Sequence, residues 1–301
     1  MPPYYPPMLS RILTTLPAFT YCAIVSAAPA FADGLGSPIP RPLGTGGAMR
    51  AVATGDAGPQ LNPSGISIFR AYSVEGSYQY GSTAGSQDAR ISAVDSTSSY
   101  NIGGAVYYSY HRDSPGDGKT QTGHLVGGSL SFPLLDKIFL GGNLKYIHFD
   151  DAQGKIHSGL TFDAGLTIRP IPLLSIGVVG YNLLDHGIQW SPKAVGGGIA
   201  ILPMPSLIFV FDSVMEKVYS DLSRDSAMHY MGGVELSISS AAAIRLGGGH
   251  DGLSKNGYVS AGVSAISADV GALDVGLRQD VSGNSKSTIV GVSARLFIPA
   301  M

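Results

Sequence analysis

From about residue 66 to its C-terminus, the chain is a string of short alternating segments. The connections between them are long, then short, then long again. Tight turns centred on Pro or Ser fall at 133–137, 170–172, 203–205, 239–241 and 267–269. Longer polar loops fall at 111–122, 150–155, 184–193, 216–227 and 251–256. A soluble sandwich has no reason to sort its loops by length, whereas a closed sheet across a bilayer has two different rims. The spacing predicts strands at 66–80, 87–95, 98–111, 122–132, 137–149, 158–169, 172–182, 193–203, 205–215, 228–239, 241–250, 256–267, 269–280 and 286–298. Each has room for the roughly 9–11 residues of a tilted crossing. The expected fold class is all-β: a transmembrane antiparallel β-barrel of about 14 strands, with both chain ends on the short-turn, periplasmic side. The strand at 87–95 has the briefest alternation.

Composition narrows the alternatives. Only 13% of the 301 residues are charged, against about 25% in soluble domains. No apolar run after the N-terminus reaches the length of about 18 residues that marks a spanning helix. A membrane barrel or a Gly-rich secreted β protein remains. A net charge of −2 argues against nucleic acid as a partner. Residues 1–32 read as a secretory signal peptide: Arg11 supplies the positive charge, 12–28 is mostly apolar, and Ala30-Phe31-Ala32 is an A-x-A site with cleavage after Ala32. The Pro- and Tyr-rich stretch before Met8 makes Met8 an alternative start. Cys22, the single cysteine, lies inside this signal, and Thr20-Tyr21-Cys22 is a poor lipoprotein box, so the mature protein is expected to carry no thiol.

Residues 33–65 differ from the alternating segments, being rich in Gly and Pro with little period-2 pattern. They read as a hatch inside the lumen or as a loose periplasmic tail; the hatch reading rests on the compact, charge-poor run 48–53. Residues 66–301 form the expected barrel. There the alternation puts Leu273, Val275 and Leu277 on one face, with Asp274, Gly276, Arg278 and Asp280 on the other. Val290, Val292, Ala294, Leu296 and Ile298 likewise oppose Gly291, Ser293 and Arg295. Lipid outside and lumen inside account for both. A turn near Ser240 sets Glu235 across from Arg245, a loop near Gly154 brings Lys145 close to Asp163, and Asp274 and Arg278 share a face. These luminal charges, with Arg295, are either a selectivity lining or structural neutralisation of a dry interior. Tyr78, Tyr80, Tyr108, Tyr110, Tyr146, Tyr181, Tyr230 and Tyr258 gather near the long-loop rim, and Phe132, Phe139 and Phe297 near the other, as two interfacial girdles would.

Three stretches carry a family resemblance. Gly46-Gly47-Ala48, Ala51-Val52-Ala53, Asp56 and Asn62-Pro63-Ser64-Gly65 resemble the N-terminal signature of the FadL/PorV-like outer-membrane proteins. Ser64 stands where that signature has Ala. Gly180-Tyr181-Asn182-Leu183 is similar to the family's strand-end segment, and the run from Met231 to Glu235 with that from Ala243 to Gly247 is similar to one of its hairpins. The resemblance implies a fourteen-stranded barrel with an N-terminal hatch. It also implies either passive transport of small hydrophobic solutes across the bacterial outer membrane or, as in the other branch, a non-conducting barrel that anchors a protein partner in secretion. The chain lacks the long extracellular loops of the fatty-acid transporters. Gly46, Gly47, Asp56, Asn62 and Pro63 are the hatch and ligand-path candidates; for Asn62 and Pro63 a simple turn is the competing account. Phe297 resembles the terminal aromatic signal read by the barrel assembly machinery. The expected partners are therefore that machinery, outer-membrane lipid and a hydrophobic small molecule.

Nothing points to an enzyme. No G-x-S-x-G occurs, and no histidine neighbours a serine in a hydrolase pattern. His148, Asp150, Asp151 and His157 bracket one loop and have the chemistry to bind a divalent ion, but a solvated polar rim is the better account of them. No metal or cofactor is expected. The apolar pair Leu183-Leu184 with Trp190 is the one outer-loop feature that suits a hydrophobic ligand.

Overall fold

A computed structural model describes residues 39–83, 85–97, 102–114, 119–188, 190–218, 226–283 and 286–299. The expected signal peptide, its cleavage site, Cys22 and residues 33–38 lie outside the described residues, as does 98–101 of the expected third strand.

The strands are β1 Tyr72–Gly81, β2 Ser86–Asp95, β3 Gly103–Asp113, β4 Gln121–Leu135, β5 Ile138–Asp150, β6 Ile156–Ile171, β7 Leu174–Tyr181, β8 Ala194–Met204, β9 Leu207–Lys217, β10 Ser226–Ser239, β11 Ala242–Asp251, β12 Asn256–Ser267, β13 Gly271–Asp280 and β14 Thr288–Phe297. They close into one antiparallel barrel, in which β1 pairs with both β2 and β14. Closure removes every sheet edge, which a strand crossing lipid requires because no water satisfies an open edge there. The alternation sets the two surfaces. On β13, Leu273 is 61% exposed while its neighbour Asp274 is 3% exposed. Leu160, Leu246, Val275, Val292 and Leu296 share the outer face with Leu273. The strand at 87–95 is present as β2, paired along its length with β1 and β3. Ser73 lies opposite Phe297, so both ends of the barrel chain sit on the rim of the tight turns.

Two expectations at that rim change. The strands run through Pro133, Pro170 and Pro203 instead of turning there, and register shifts mark the stretches Pro133/Leu135, Ile168/Ile171 and Ile201/Met204. Proline has no ladder N–H to give, so it is tolerated where a bulge interrupts pairing. The turns follow at 136–137, 172–173 and 205–206. The first strand begins at Tyr72, not at 66, because Pro63–Ile68 is a 3-10 turn. Asn62 caps it, its side chain accepting from the Ser64 amide, and Pro63 supplies a φ suited to a first helical position. Ile66 and Ile68 mimic strand alternation, but Ile66 points into a small cluster with Val94 and Ala105.

The aromatic girdle is partly corrected. Tyr78, Tyr80, Tyr108, Tyr146 and Tyr230 face outward, as does Phe132. Tyr181, Tyr258 and Phe139 are buried and face the lumen.

Two elements fold into the lumen. Residues 39–69, with helices α1 Pro40–Gly44 and α2 Gly58–Leu61, fill its lower half as a hatch. Helix α1 lies against β11–β14, and the 63–68 turn lies against β3–β6. Above the hatch, the β7–β8 connection folds inward, and Ile188 and Trp190 join Tyr107, Leu125, Ile147 and Phe149 in a separate apolar cluster.

Candidate functional site

The hatch is built from turns that only a Gly- and Pro-rich sequence allows. Prolines start α1 and α2. After α1 the chain reverses through Gly46 and Gly47 at φ 75 and 86, in the left-handed region. The Thr45 hydroxyl lies 3.0 Å from Pro42 O and 2.9 Å from Ala48 O within this reversal. Gly46 needs its missing side chain twice, since a Cβ there would lie 2.7 Å from the wall oxygen of Gly248.

The barrel wall is cut to receive this backbone. Cβ atoms at Gly141, Gly165, Gly177, Gly247 and Gly276 would each lie 2.6 Å or less from hatch atoms. At Gly165 the obstacle is Asn62 Oδ1, at 2.0 Å; at Gly141 it is the Pro63–Ser64 peptide, at 2.3 Å. Asn62 and Pro63 therefore lie against the wall. Asn62 Nδ2 donates to Arg50 O at 3.0 Å and Thr167 Oγ1 at 3.2 Å, while its Oδ1 accepts from Ser64 Oγ at 2.7 Å. Ser64 Oγ also bonds Thr167 Oγ1 at 2.7 Å, a contact that an Ala at 64 would not make.

Charges lock the hatch in place. Asp56, fully buried, accepts from Ser73 Oγ at 2.9 Å and Ser92 Oγ at 3.0 Å, and pairs with Arg295 at 2.9 Å. Arg295 reaches Glu75 at 2.5 Å and Asp274 at 4.0 Å. Asp274 pairs with Arg245 at 3.1 Å, and Arg245 with Glu235 at 2.5 Å, directly across the strand pair. Glu235 then receives a bidentate Arg41 from the hatch, with both bonds at 2.9 Å. The result is one alternating chain of charge from Arg41 to Asp56. On the neighbouring strand β9, Arg50 and Asp212 form a separate ion pair at 3.0 Å, with both side chains at 0% exposure. Asp212 Oδ2 also accepts the Met49 and Arg50 amides, each at 2.9 Å. Burying such charges is tolerable only when they are paired and hydrogen-bonded.

The remaining luminal candidates lie elsewhere. Lys145 pairs with Asp163 at 2.8 Å, and Asp163 holds the Asn182 amide at 2.8 Å and Asn143 Nδ2 at 2.9 Å. Asn143 bridges in turn to Pro59 O and the Tyr107 hydroxyl. Arg278 shares a face with Asp274 but sits over the Tyr258 ring, 3.6 Å from its centroid, beside Asp251 and Asp280. Tyr181 and Tyr258 grip the hatch: the Tyr258 hydroxyl donates to Gly46 O at 2.8 Å, and the Tyr181 hydroxyl donates to Leu61 O while accepting from Arg50 Nε. In the outer loop, His148 faces Asp150 at 3.5 Å and His157 faces Asp151 at 3.1 Å as two separate pairs. No metal-binding group of three converges among the described residues. Desolvation raises the Asp151 carboxyl, but the Lys155 and Gln153 amides and His157 outweigh it and hold the group below the ordinary carboxylate range.

Sequence reasoning missed Arg41, Arg50, Glu75 and Asp212. A signal was present: Arg41 and Arg50 are the two cations of 33–65, and two arginines in a charge-poor buried segment require carboxylates on the surrounding wall.

No protein-family profile matches the sequence, and no curated protein matches it. Solved structures do. The CymD monoaromatic hydrocarbon channel superposes with a TM-score of 0.72 at 12% identity, over 90% of this chain and 99% of that one. The Ralstonia pickettii toluene transporter TbuX gives 0.71 at 11% identity, over 86% and 98%. A Pseudomonas aeruginosa FadL homologue gives 0.67 at 10% identity, over 85% and 97%. The fold is FadL-like. The three stretches of resemblance converge on the hatch: Asn62 and Gly46 within it, Tyr181 hydrogen-bonded to it, and Gly233, Glu235 and Gly247 seated against it.

Proposed function

We propose that this protein is a non-enzymatic outer-membrane channel through which a small hydrophobic solute diffuses passively. The observation that carries the reading is the apolar lining on both sides of the hatch. A barrel interior is ordinarily polar, yet Tyr107, Leu125, Ile147, Phe149 and Ile188 cluster in the upper lumen. Below, a cavity of about 170 Å³ is lined by Ala51, Val52, Ile68, Phe69, Leu202 and Ile208, together with Arg41, Thr54, Arg169 and Ser175. A barrel that only anchors a partner has no need of either surface. Solute enters at the long-loop rim, passes the hatch when it shifts, and leaves on the periplasmic side. The solved structures with this fold that are named for toluene and monoaromatic hydrocarbons support that class of solute.

One observation favours the other reading, a non-conducting barrel in secretion: the hatch is locked to the wall by several ion pairs, at Glu235, Asp212 and Arg295. A reversible lock separates the two. A Cβ at Gly291 would lie 3.2 Å from the tip of Leu43, so Leu43→Cys with Gly291→Cys sets two thiols facing each other, and a short, reducible bis-methanethiosulfonate linker can join α1 to β14. The chain from Asp33 onward carries no other cysteine. Intact host cells with a lipopolysaccharide outer leaflet should take up labelled toluene faster when they express the protein. Cross-linking should abolish the gain in the double variant, and reduction of the linker should restore it. Uptake equal to that of cells without the protein would sink transport, and co-purification of a periplasmic partner would then favour the anchoring barrel.

A further inference from the structure

Three inward-facing residues form a row across the upper wall: His111 on β3 pairs with Gly123 on β4, which pairs with Phe149 on β5. The two rings are two strand spacings apart, about 9–10 Å, with a glycine between them. Trp190 fills the gap. Its ring stacks on Phe149 with centroids 5.7 Å apart and planes 10° apart, and on His111 at 5.5 Å and 29°. Its edge lies 2.9 Å from where a Cβ on Gly123 would be. We propose that this row is a binding slot for a planar aromatic solute, and that Trp190 is a tethered occupant which the solute displaces. The inference rests on the hydrophobic-channel reading and names its ligand class.

The slot has the shape of a ligand site, and the indole is held in it by stacking and apolar packing. His111 is held upright by Asp88, 2.7 Å from Nδ1, with Asp113 3.7 Å from Nε2, so one wall is a positioned ring and not a mobile one. Leu125, Ile147 and Ile188 complete an apolar surround. Indole Nε1 is buried with no hydrogen-bond partner among the described residues. Lifting Trp190 therefore breaks no side-chain hydrogen bond to a described residue, and a solute without an N–H group leaves no buried donor in its place. The loop's ends are fixed while Trp190 lies between them. Asn182 Nδ2 donates to Pro192 O at 2.9 Å, and the Asn182 amide donates to Asp163 at 2.8 Å. Stacking on both faces selects a flat ring over a saturated one of equal size.

Trp190 is the only tryptophan in the chain, so its emission reports on the slot directly. In detergent, with excitation where tyrosine does not absorb, saturating toluene should red-shift Trp190 emission and raise acrylamide quenching several-fold. Methylcyclohexane should do neither. Gly123→Ala, which places a methyl where the indole lies, should show the shifted emission without solute. Phe149→Leu keeps the apolar volume and should lose the saturable response while migrating as a folded, heat-modifiable barrel. Unchanged emission with toluene, or an equal change with methylcyclohexane, overturns the slot. The two readings fail separately: uptake into cells without a Trp190 response removes the slot and leaves the channel, and a Trp190 response without uptake removes the channel and leaves the slot.

Discussion

The hatch in the lower lumen and the inward loop above it are held by different interactions. The hatch is held by directional bonds: a chain of charge from Arg41 through Glu235, Arg245, Asp274 and Arg295 to Asp56, and a second pair, Arg50–Asp212. The inward fold of 182–193 is held at its centre by the stacked ring of Trp190, whose indole N–H has no hydrogen-bond partner among the described residues. Buried ion pairs lose heavily when one partner is removed, because the other charge remains in a dry site. Ring stacks lose about 0.5–1.5 kcal/mol beyond buried area. The difference implies a stiff lower gate and a soft upper one in the same barrel.

The largest break is expected at Asp212. Asp212→Ala leaves the Arg50 guanidinium at 0% exposure without its carboxylate and strips an acceptor from the Met49 and Arg50 amides. A cost of about 3–5 kcal/mol follows, borne by the hatch and not by the closed sheet. Planar-bilayer conductance should rise, and proteases should cut between 39 and 69, while heat-modifiable migration persists. A variant as insulating and as resistant as the parent would show that this pair does not hold the hatch.

A smaller break is expected at Glu235→Gln. Arg41 loses a bidentate carboxylate, but its side chain is 18% exposed and water replaces part of the interaction; Arg245 keeps Asp274. About 1–2 kcal/mol is the expected loss. Hydrogen exchange should speed up at the amides of 43–48, next to α1, more than at those of 62–68. Equal acceleration at both ends would mean that the hatch opens as one unit and the ionic chain is not a local clamp.

How much of this the sequence discloses depends on the range of the contact. Strand alternation and the Glu235–Arg245 pairing are local: period 2 sorts faces, and the short turn at 240–241 with the bulge between Ser237 and Ser239 sets the register. Misreadings at Pro133, Pro170 and Pro203 are local too, because a proline looks the same in a turn and in a bulge. Ile66 and Ile68 fail for a related reason, since two apolar residues at i, i+2 fit a strand or a short 3-10 turn. Arg50 and Asp212 are 162 positions apart, and nothing near either one names the other. The glycine seat is in between: inward glycines recur on successive strands, but only the closed barrel shows that they face one backbone.

Tyr258 tests whether single hydrogen bonds matter beside the charges. Tyr258→Phe removes the 2.8 Å bond to Gly46 O and keeps the ring under Arg278. About 1 kcal/mol is expected, the net worth of one hydrogen bond, and it should appear as faster exchange at 46–49 with conductance unchanged. Conductance as high as in Asp212→Ala would move the decisive contact from the ion pair to the Gly46 reversal.

The smallest effect sharpens the contrast from the other side. Trp190→Leu removes both ring stacks and leaves an apolar residue in the upper cluster. If the two closures are independent, hatch exchange at 39–69 stays at the parent rate, because no contact of Trp190 in the ring stacks or the apolar cluster involves a hatch residue. Thermal stability should fall by about 1 kcal/mol or less. The Asn143 bridge is a direct route for coupling, joining Tyr107 of the upper cluster to Pro59 O of the hatch at 2.8 Å and 3.0 Å. Faster hatch exchange in Trp190→Leu that disappears in an Asn143→Ala background would show that the soft closure and the stiff one communicate through that single amide.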